Sequence, residues 1–177
     1  MQFLARFRVA LGWVCAPLIL ILANPSRESI LVGTIIGLAG EALRVWAAGH
    51  LYKSREVTSS GPYRFFAHPL YVGSSVMGAG LAVASANPIA AAIIALYLFV
   101  TLRAAIRAEE QFLRQHFGDQ YDLYRQQRVV DTRRRFSIKQ AMANREYRAL
   151  AGLVGAMLLL ALKATYNGAF WRAAAGS

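Results

Sequence analysis

The chain has one cysteine, Cys15, and only nine acidic residues against twenty basic ones in 177 residues. A single cysteine excludes an internal disulfide and any cysteine-based metal cluster, so Cys15 reads as a membrane-buried structural thiol. Charge is scarce, at 16% of residues, whereas 56% are hydrophobic and the mean hydropathy is +0.36. That balance is unusual for a soluble domain. The apolar residues fall in runs separated by short polar pieces, which leaves no room for a soluble second domain. Residues 1–177 therefore read as one all-α, polytopic membrane bundle. A second repeated half with interrupted helices is also missing, which counts against a small transporter.

Five runs approach the roughly 20 residues that a helix needs to cross a hydrocarbon core. They are 9–23, 30–49, 70–86, 88–105 and 149–166. The first and last are short and need flanking Arg or Lys side chains that snorkel to the interface. The first also follows Arg6 and Arg8 in the manner of a secretion signal, but Asn24-Pro25 makes a poor cleavage site, and a retained helix is expected. Only "ANP", residues 86–88, separates the third and fourth runs, so these two must form an antiparallel hairpin.

With the odd-numbered helices running outward, one side of the membrane receives Arg6, Arg8, Lys53, Arg55, Arg64 and the eleven basic residues from Arg103 to Arg148. The other keeps Arg27, Lys163 and Arg172. This positive-inside bias puts the N-terminus in the cytoplasm. The net charge of +11 and the basic stretch "RQQRVVDTRRRFSIK" invite a nucleic-acid reading. Beside membrane spans, residues 129–148 are better read as a juxtamembrane segment that attracts anionic membrane lipids, with no nucleic-acid partner.

Two polar clusters interrupt the apolar pattern. In "GPYRFFAHPLYVG", residues 61–73, Gly61-Pro62-Tyr63 reads as a turn. His68-Pro69 reads as a helix start, because proline in the first helical position sacrifices no hydrogen bond. The N–H groups of that first turn and its positive dipole end could hold a carboxylate or phosphate. The bland alternative makes His68 and Tyr71 ordinary interfacial residues. In "RAEEQFLRQHFGDQYDLY", residues 107–124, Arg107, Glu109 and Glu110 lie at the end of the fourth span, and Gly118 is a plausible C-cap. Here the bland alternative is an amphipathic helix with Arg–Glu pairs.

The hairpin links the two clusters. His68 lies 19 residues before Asn87 and Glu109 lies 22 after it, so at a rise of about 1.5 Å per residue the two ends differ in height by only roughly 5 Å. A histidine and a glutamate pair should meet at one depth. A third feature, "GEALRVWAAGH" at residues 40–50, places Glu41 and Arg44 at i and i+3 within the second span. Charges inside a span face protein or a wet cavity, so this pair is either structural or lines a polar ligand site. Trp46 and His50 follow toward the same end.

The two motifs, in this order and at this spacing, resemble the membrane methyltransferases that include isoprenylcysteine carboxyl methyltransferases and phospholipid N-methyltransferases. The resemblance covers about residues 33–128. The first motif of that family usually reads GPY, a few residues, then RHPxYxG; the second is a Glu pair with a following leucine, FG and two tyrosines. The resemblance implies a cytoplasmic-side pocket for S-adenosylmethionine formed by Tyr63, His68, Pro69, Leu70, Tyr71 and Gly73, with Glu109 and Glu110 closing it. Ala67 departs from the pattern, standing where the family usually has arginine; either Arg64 or Arg107 supplies that charge or the site is altered.

The implied reaction is in-line methyl transfer to a lipophilic small-molecule or prenylated acceptor. A carboxylate acceptor, the isoprenylcysteine case, needs no general base, only an arginine such as Arg107 to orient it. An amine acceptor, as in a phospholipid, needs a proton acceptor, and Glu110 is the first candidate. Arg44, Arg64 and Trp46 are the candidate acceptor-binding residues. A non-catalytic membrane scaffold is the alternative class, and nothing in the sequence sets an oligomeric state.

Overall fold

The computed structural model describes residues 2–52, 57–118, 123, 126 and 135–167, and among them there is no strand. Among the described residues the α-helices are α1 (Gln2–Leu22), α2 (Arg27–His50), α3 (Pro69–Ser85), α4 (Pro88–Phe117), α5 (Ile138–Ala143) and α6 (Tyr147–Tyr166). One 3-10 turn, Gly61–Arg64, precedes α3. The result is an all-α membrane bundle. By length and composition α2, α4 and α6 can each cross a membrane, whereas Ala10–Leu22 and Pro69–Ser85 are shorter apolar helices among the described residues. Of the five expected spans, the first and third are therefore the short ones, not the first and last. The last gains length because α6 starts at Tyr147.

Local chemistry sets the helix ends. Ser26 and Ser29 exchange side-chain-to-backbone bonds of 2.9 and 3.1 Å at the start of α2, a capping box whose second member is serine. The 86–88 turn forms the expected hairpin. Ala86 takes a left-handed conformation, and the Asn87 side chain accepts from the Ile89 and Ala90 N–H groups at 2.9 and 3.0 Å. At the other side of that end, Lys163 donates to the Leu20 and Ile21 carbonyls at 2.7 Å each, satisfying the last turn of α1.

The tightest seam joins α2 to α3, and it consists of small residues. A Cβ on Gly80 would lie 2.5 Å from the Gly33 carbonyl oxygen, and one on Gly40 would lie 2.7 Å from the Gly73 carbonyl oxygen. In a bilayer no hydrophobic effect drives helices together, so close backbone approach and dispersion supply the attraction. Around Ala23, Ala84, Leu153, Met157 and Leu160 a small apolar core closes the end near the 86–88 turn. Many large side chains stay outward, among them Trp13, Ile21, Leu96 and Leu162. In water that pattern would be a liability; in a lipid phase it is the expected exterior.

Candidate active site

At the opposite end of the bundle, α3 begins where the sequence places its start. His68 is the N-cap and Pro69 the first helical residue. No side chain caps this end, yet fewer N–H groups are free than the sequence reading expects. Pro69 has none, and the His68 carbonyl accepts from Tyr71 at 3.0 Å and Val72 at 3.1 Å. Any anion held here would therefore depend on few backbone donors.

The histidine side chain does meet the glutamate pair. His68 Nε2 lies 3.3 Å from Glu110 Oε1, and His68 Nδ1 lies 3.7 Å from Glu109 Oε2. The adjacent glutamates diverge around α4 by about 100°, which lets one approach each nitrogen of the ring. Burial alone would depress the imidazole pKa, but the bonds to Glu109 and then Glu110, with their negative charges, outweigh it and raise the pKa above the ordinary 6.5. A doubly protonated ring can donate to both carboxylates, and the trio then carries one net negative charge. His68 is 14% exposed, Glu109 36% and Glu110 24%, so the carboxylates remain reachable. The Tyr71 ring stands 5.8 Å from that of His68.

Other candidates lie around this cluster at different distances along the chain. Tyr63 and Arg64 belong to the 3-10 turn, Tyr63 half-buried and Arg64 exposed. That turn needs glycine: Gly61 has φ of +58°, and a Cβ there would lie 2.6 Å from the His50 ring. Arg107 is exposed on α4 and shares a face with Glu110 at i and i+3. The close approach that Gly73 permits is that of α2, since a Cβ there would lie 2.5 Å from Arg44 Cγ. Asp119, Tyr121 and Tyr124 of the second motif lie outside the described residues.

Arg44 and Trp46 sit elsewhere. Trp46 borders a shallow cleft with Leu38, Glu41, Ala42, Val45 and Phe136. Arg44 lies 3.6 Å from Glu41 and pairs with Glu146, while its Nη1 donates to the Leu70 carbonyl at 3.3 Å and to the Ser74 hydroxyl. Glu146 and Ser74 escaped the sequence reading. The available signal was that Glu146 is one of only two acids, with Asp131, in the basic stretch 125–148.

A family model described as phospholipid methyltransferase matches residues 30–120, which contain His68, Glu109 and Glu110. The chain belongs to the phospholipid methyltransferase family. A probable protein-S-isoprenylcysteine O-methyltransferase of Oryza sativa subsp. indica is 32% identical over 107 residues, covering 54% of this chain and 56% of the relative. Protein-S-isoprenylcysteine O-methyltransferase B of Arabidopsis thaliana is 34% identical over 106 residues, 53% of this chain and 54% of the relative. The nickel-cobalt-cadmium resistance protein NccN of Alcaligenes xylosoxydans xylosoxydans is 29% identical over 130 residues, 67% of this chain and 61% of the relative. The chain thus spans about half to three-fifths of these curated relatives. No solved structure matches it.

Proposed function

We propose that this family member transfers a methyl group from S-adenosylmethionine to a lipophilic acceptor at the cytoplasmic membrane interface, most consistently an isoprenylcysteine-type carboxylate. The observation that carries the reading is the His68–Glu109–Glu110 cluster, partly exposed and net negative at the start of α3. Its donor set suits the cofactor: carboxylates attract a sulfonium and an ammonium and accept from ribose hydroxyls. Tyr63, Pro69, Leu70 and Tyr71 would complete the pocket around it, and Gly73 would act by keeping α2 close. When bound, S-adenosylmethionine supplies an electrophilic methyl on sulfur.

The chain's contribution is to orient and to exclude water, which accelerates an in-line transfer by fixing donor and acceptor in position. Between α3 and α4 runs an apolar groove of about 320 Å³ whose walls include Ser75, Gly78, Ala82, Ala91, Ile94 and Leu102. Ser75 and Leu102 each lie seven residues from His68 and Glu109 respectively, or about 10 Å of helix rise. An acceptor chain in this groove would carry its head toward the cluster. Arg107 and Arg64, both exposed, are the groups to hold an acceptor carboxylate; the Arg44 guanidinium is already engaged by four partners. Trp46, on a separate cleft, would touch an acceptor only on the α2 side. An acceptor carboxylate held by Arg107 or Arg64 is already anionic, so this transfer would need no general base from the chain.

The family description favours a second acceptor, a phospholipid amine, for which Glu110 would take the proton. Purified protein in detergent with radiolabelled S-adenosylmethionine and a prenylcysteine acceptor separates the two. Base-labile label is the expected result; alkali-stable label on a phospholipid amine would replace the carboxylate reading.

A further inference from the structure

Beyond the matched region 30–120, residues 136–146 fold back onto the end of α2. The Ser137 N–H donates to the Gly49 carbonyl at 3.2 Å, the Gln140 side chain to Leu51 at 2.8 Å, and the Asn144 side chain to Ala48 and Leu51 at 2.8 and 2.9 Å. These bonds satisfy carbonyls that the end of a helix leaves open. Arg145 then takes a left-handed conformation with φ of +61°. A non-glycine residue adopts that conformation at a cost, which the surrounding contacts must outweigh. The turn delivers Glu146, 6% exposed, to Arg44.

Arg44 in turn reaches the first turn of α3. Its Nη1 donates to the Leu70 carbonyl and the Ser74 hydroxyl, and that hydroxyl also donates to Leu70 at 2.9 Å. Leu70 is two residues beyond His68. We propose that Glu146, acting through Arg44, is a positioning residue that holds the start of α3 where His68 meets Glu109 and Glu110. The segment between residues 136 and 146 would thereby set the geometry of a site whose residues all lie elsewhere. Glu41, 3.6 Å from Arg44 on the same helix, supplies the alternative. Without the Glu146 charge the guanidinium is drawn toward Glu41 and away from α3. The geometric claim stands on these contacts; its catalytic consequence rests on the methyltransferase reading.

The test follows the His68 ring by NMR in histidine-labelled full-length protein in detergent micelles, with His50 and His116 distinguished by a His68→Gln spectrum. Glu146→Gln keeps the shape of the side chain and removes its charge. The His68 titration midpoint should fall toward 6.5, and the dissociation constant for S-adenosylmethionine should rise roughly 2- to 30-fold. Ser74→Ala, which removes one of the two bonds from Arg44 to α3, should move both readouts in the same direction. The double variant should show less than the sum of the two effects, because both act through Arg44. Lost stability alone would leave the titration of His68 in the folded protein unmoved. An unchanged midpoint in folded Glu146→Gln overturns the proposal, as do effects that simply add. If Glu146→Gln does not fold, an unchanged midpoint in Ser74→Ala overturns it. A shifted midpoint in a protein whose folded wild type binds no S-adenosylmethionine upholds the positioning role and defeats the cofactor reading instead.

Discussion

Two clusters in this protein share one formula, a cation between two carboxylates, and differ in what surrounds them. Arg44 sits between Glu41 and Glu146, with side-chain exposures of 19%, 5% and 7%. His68 sits between Glu109 and Glu110, and the glutamates are 36% and 24% exposed. The first ties together α2, the start of α6 and the first turn of α3 in a buried setting. The second joins the start of α3 to the end of α4, and its carboxylates are partly exposed. Equal formal charge thus sits in two settings, one buried between three helices and one partly exposed at a helix end.

Removing each cation should separate these roles. Arg44→Ala leaves two buried carboxylates uncompensated, and the expected loss is about 3–5 kcal/mol of stability, read by denaturant unfolding in detergent. His68→Ala should cost less than about 1 kcal/mol in the same measurement, because its partners can turn to water. Similar losses for the two would erase the distinction.

Cofactor affinity should show the reverse preference. Glu110→Ala should weaken S-adenosylmethionine binding by about 10- to 150-fold, the equivalent of one hydrogen bond to a charged group. Glu109→Ala, whose oxygen lies farther from the ring at 3.7 Å, should cost less. Equilibrium binding of radiolabelled cofactor checks both.

The glycine seam holds α2, which carries Arg44, against α3, which starts beside His68. Gly80→Val drives a side chain against the α2 backbone and should cost about 1–3 kcal/mol of stability, measured by thermal unfolding. The smallest effect is one of pH. The pKa of His68 is raised in the fold, so its contribution is fully present below pH 6.5 and is lost as pH rises through the folded value. The stability difference between wild type and His68→Gln, below about 1 kcal/mol, should therefore appear at acid pH and vanish in alkali.

Much of this arrangement is legible in local sequence. Pro69 after His68, Pro88 after Asn87 and Gly118 after Phe117 mark helix ends that the structure keeps. Helix rise alone brings His68 to the height of Glu109 and Glu110. The pairing of Glu41 with Arg44 is a spacing that a helix makes obligatory. What escaped was long-range: Glu146 lies 102 residues from Arg44, and no periodicity connects them. The sparse N–H groups at the start of α3 also escaped, because whether the His68 carbonyl takes both Tyr71 and Val72 depends on backbone angles that residue identity leaves open.

Under the proposed function the partly exposed cluster holds the cofactor and the buried one does not. Saturation binding of S-adenosylmethionine to purified wild type, Glu110→Gln and Glu41→Gln, with unfolding midpoints taken on the same samples, tests it most directly. The expected result is saturable binding to wild type, at least about a tenfold loss in Glu110→Gln with its midpoint nearly unchanged, and retained affinity in folded Glu41→Gln. Equal affinity in wild type and Glu110→Gln, or no binding by folded wild type, would contradict it.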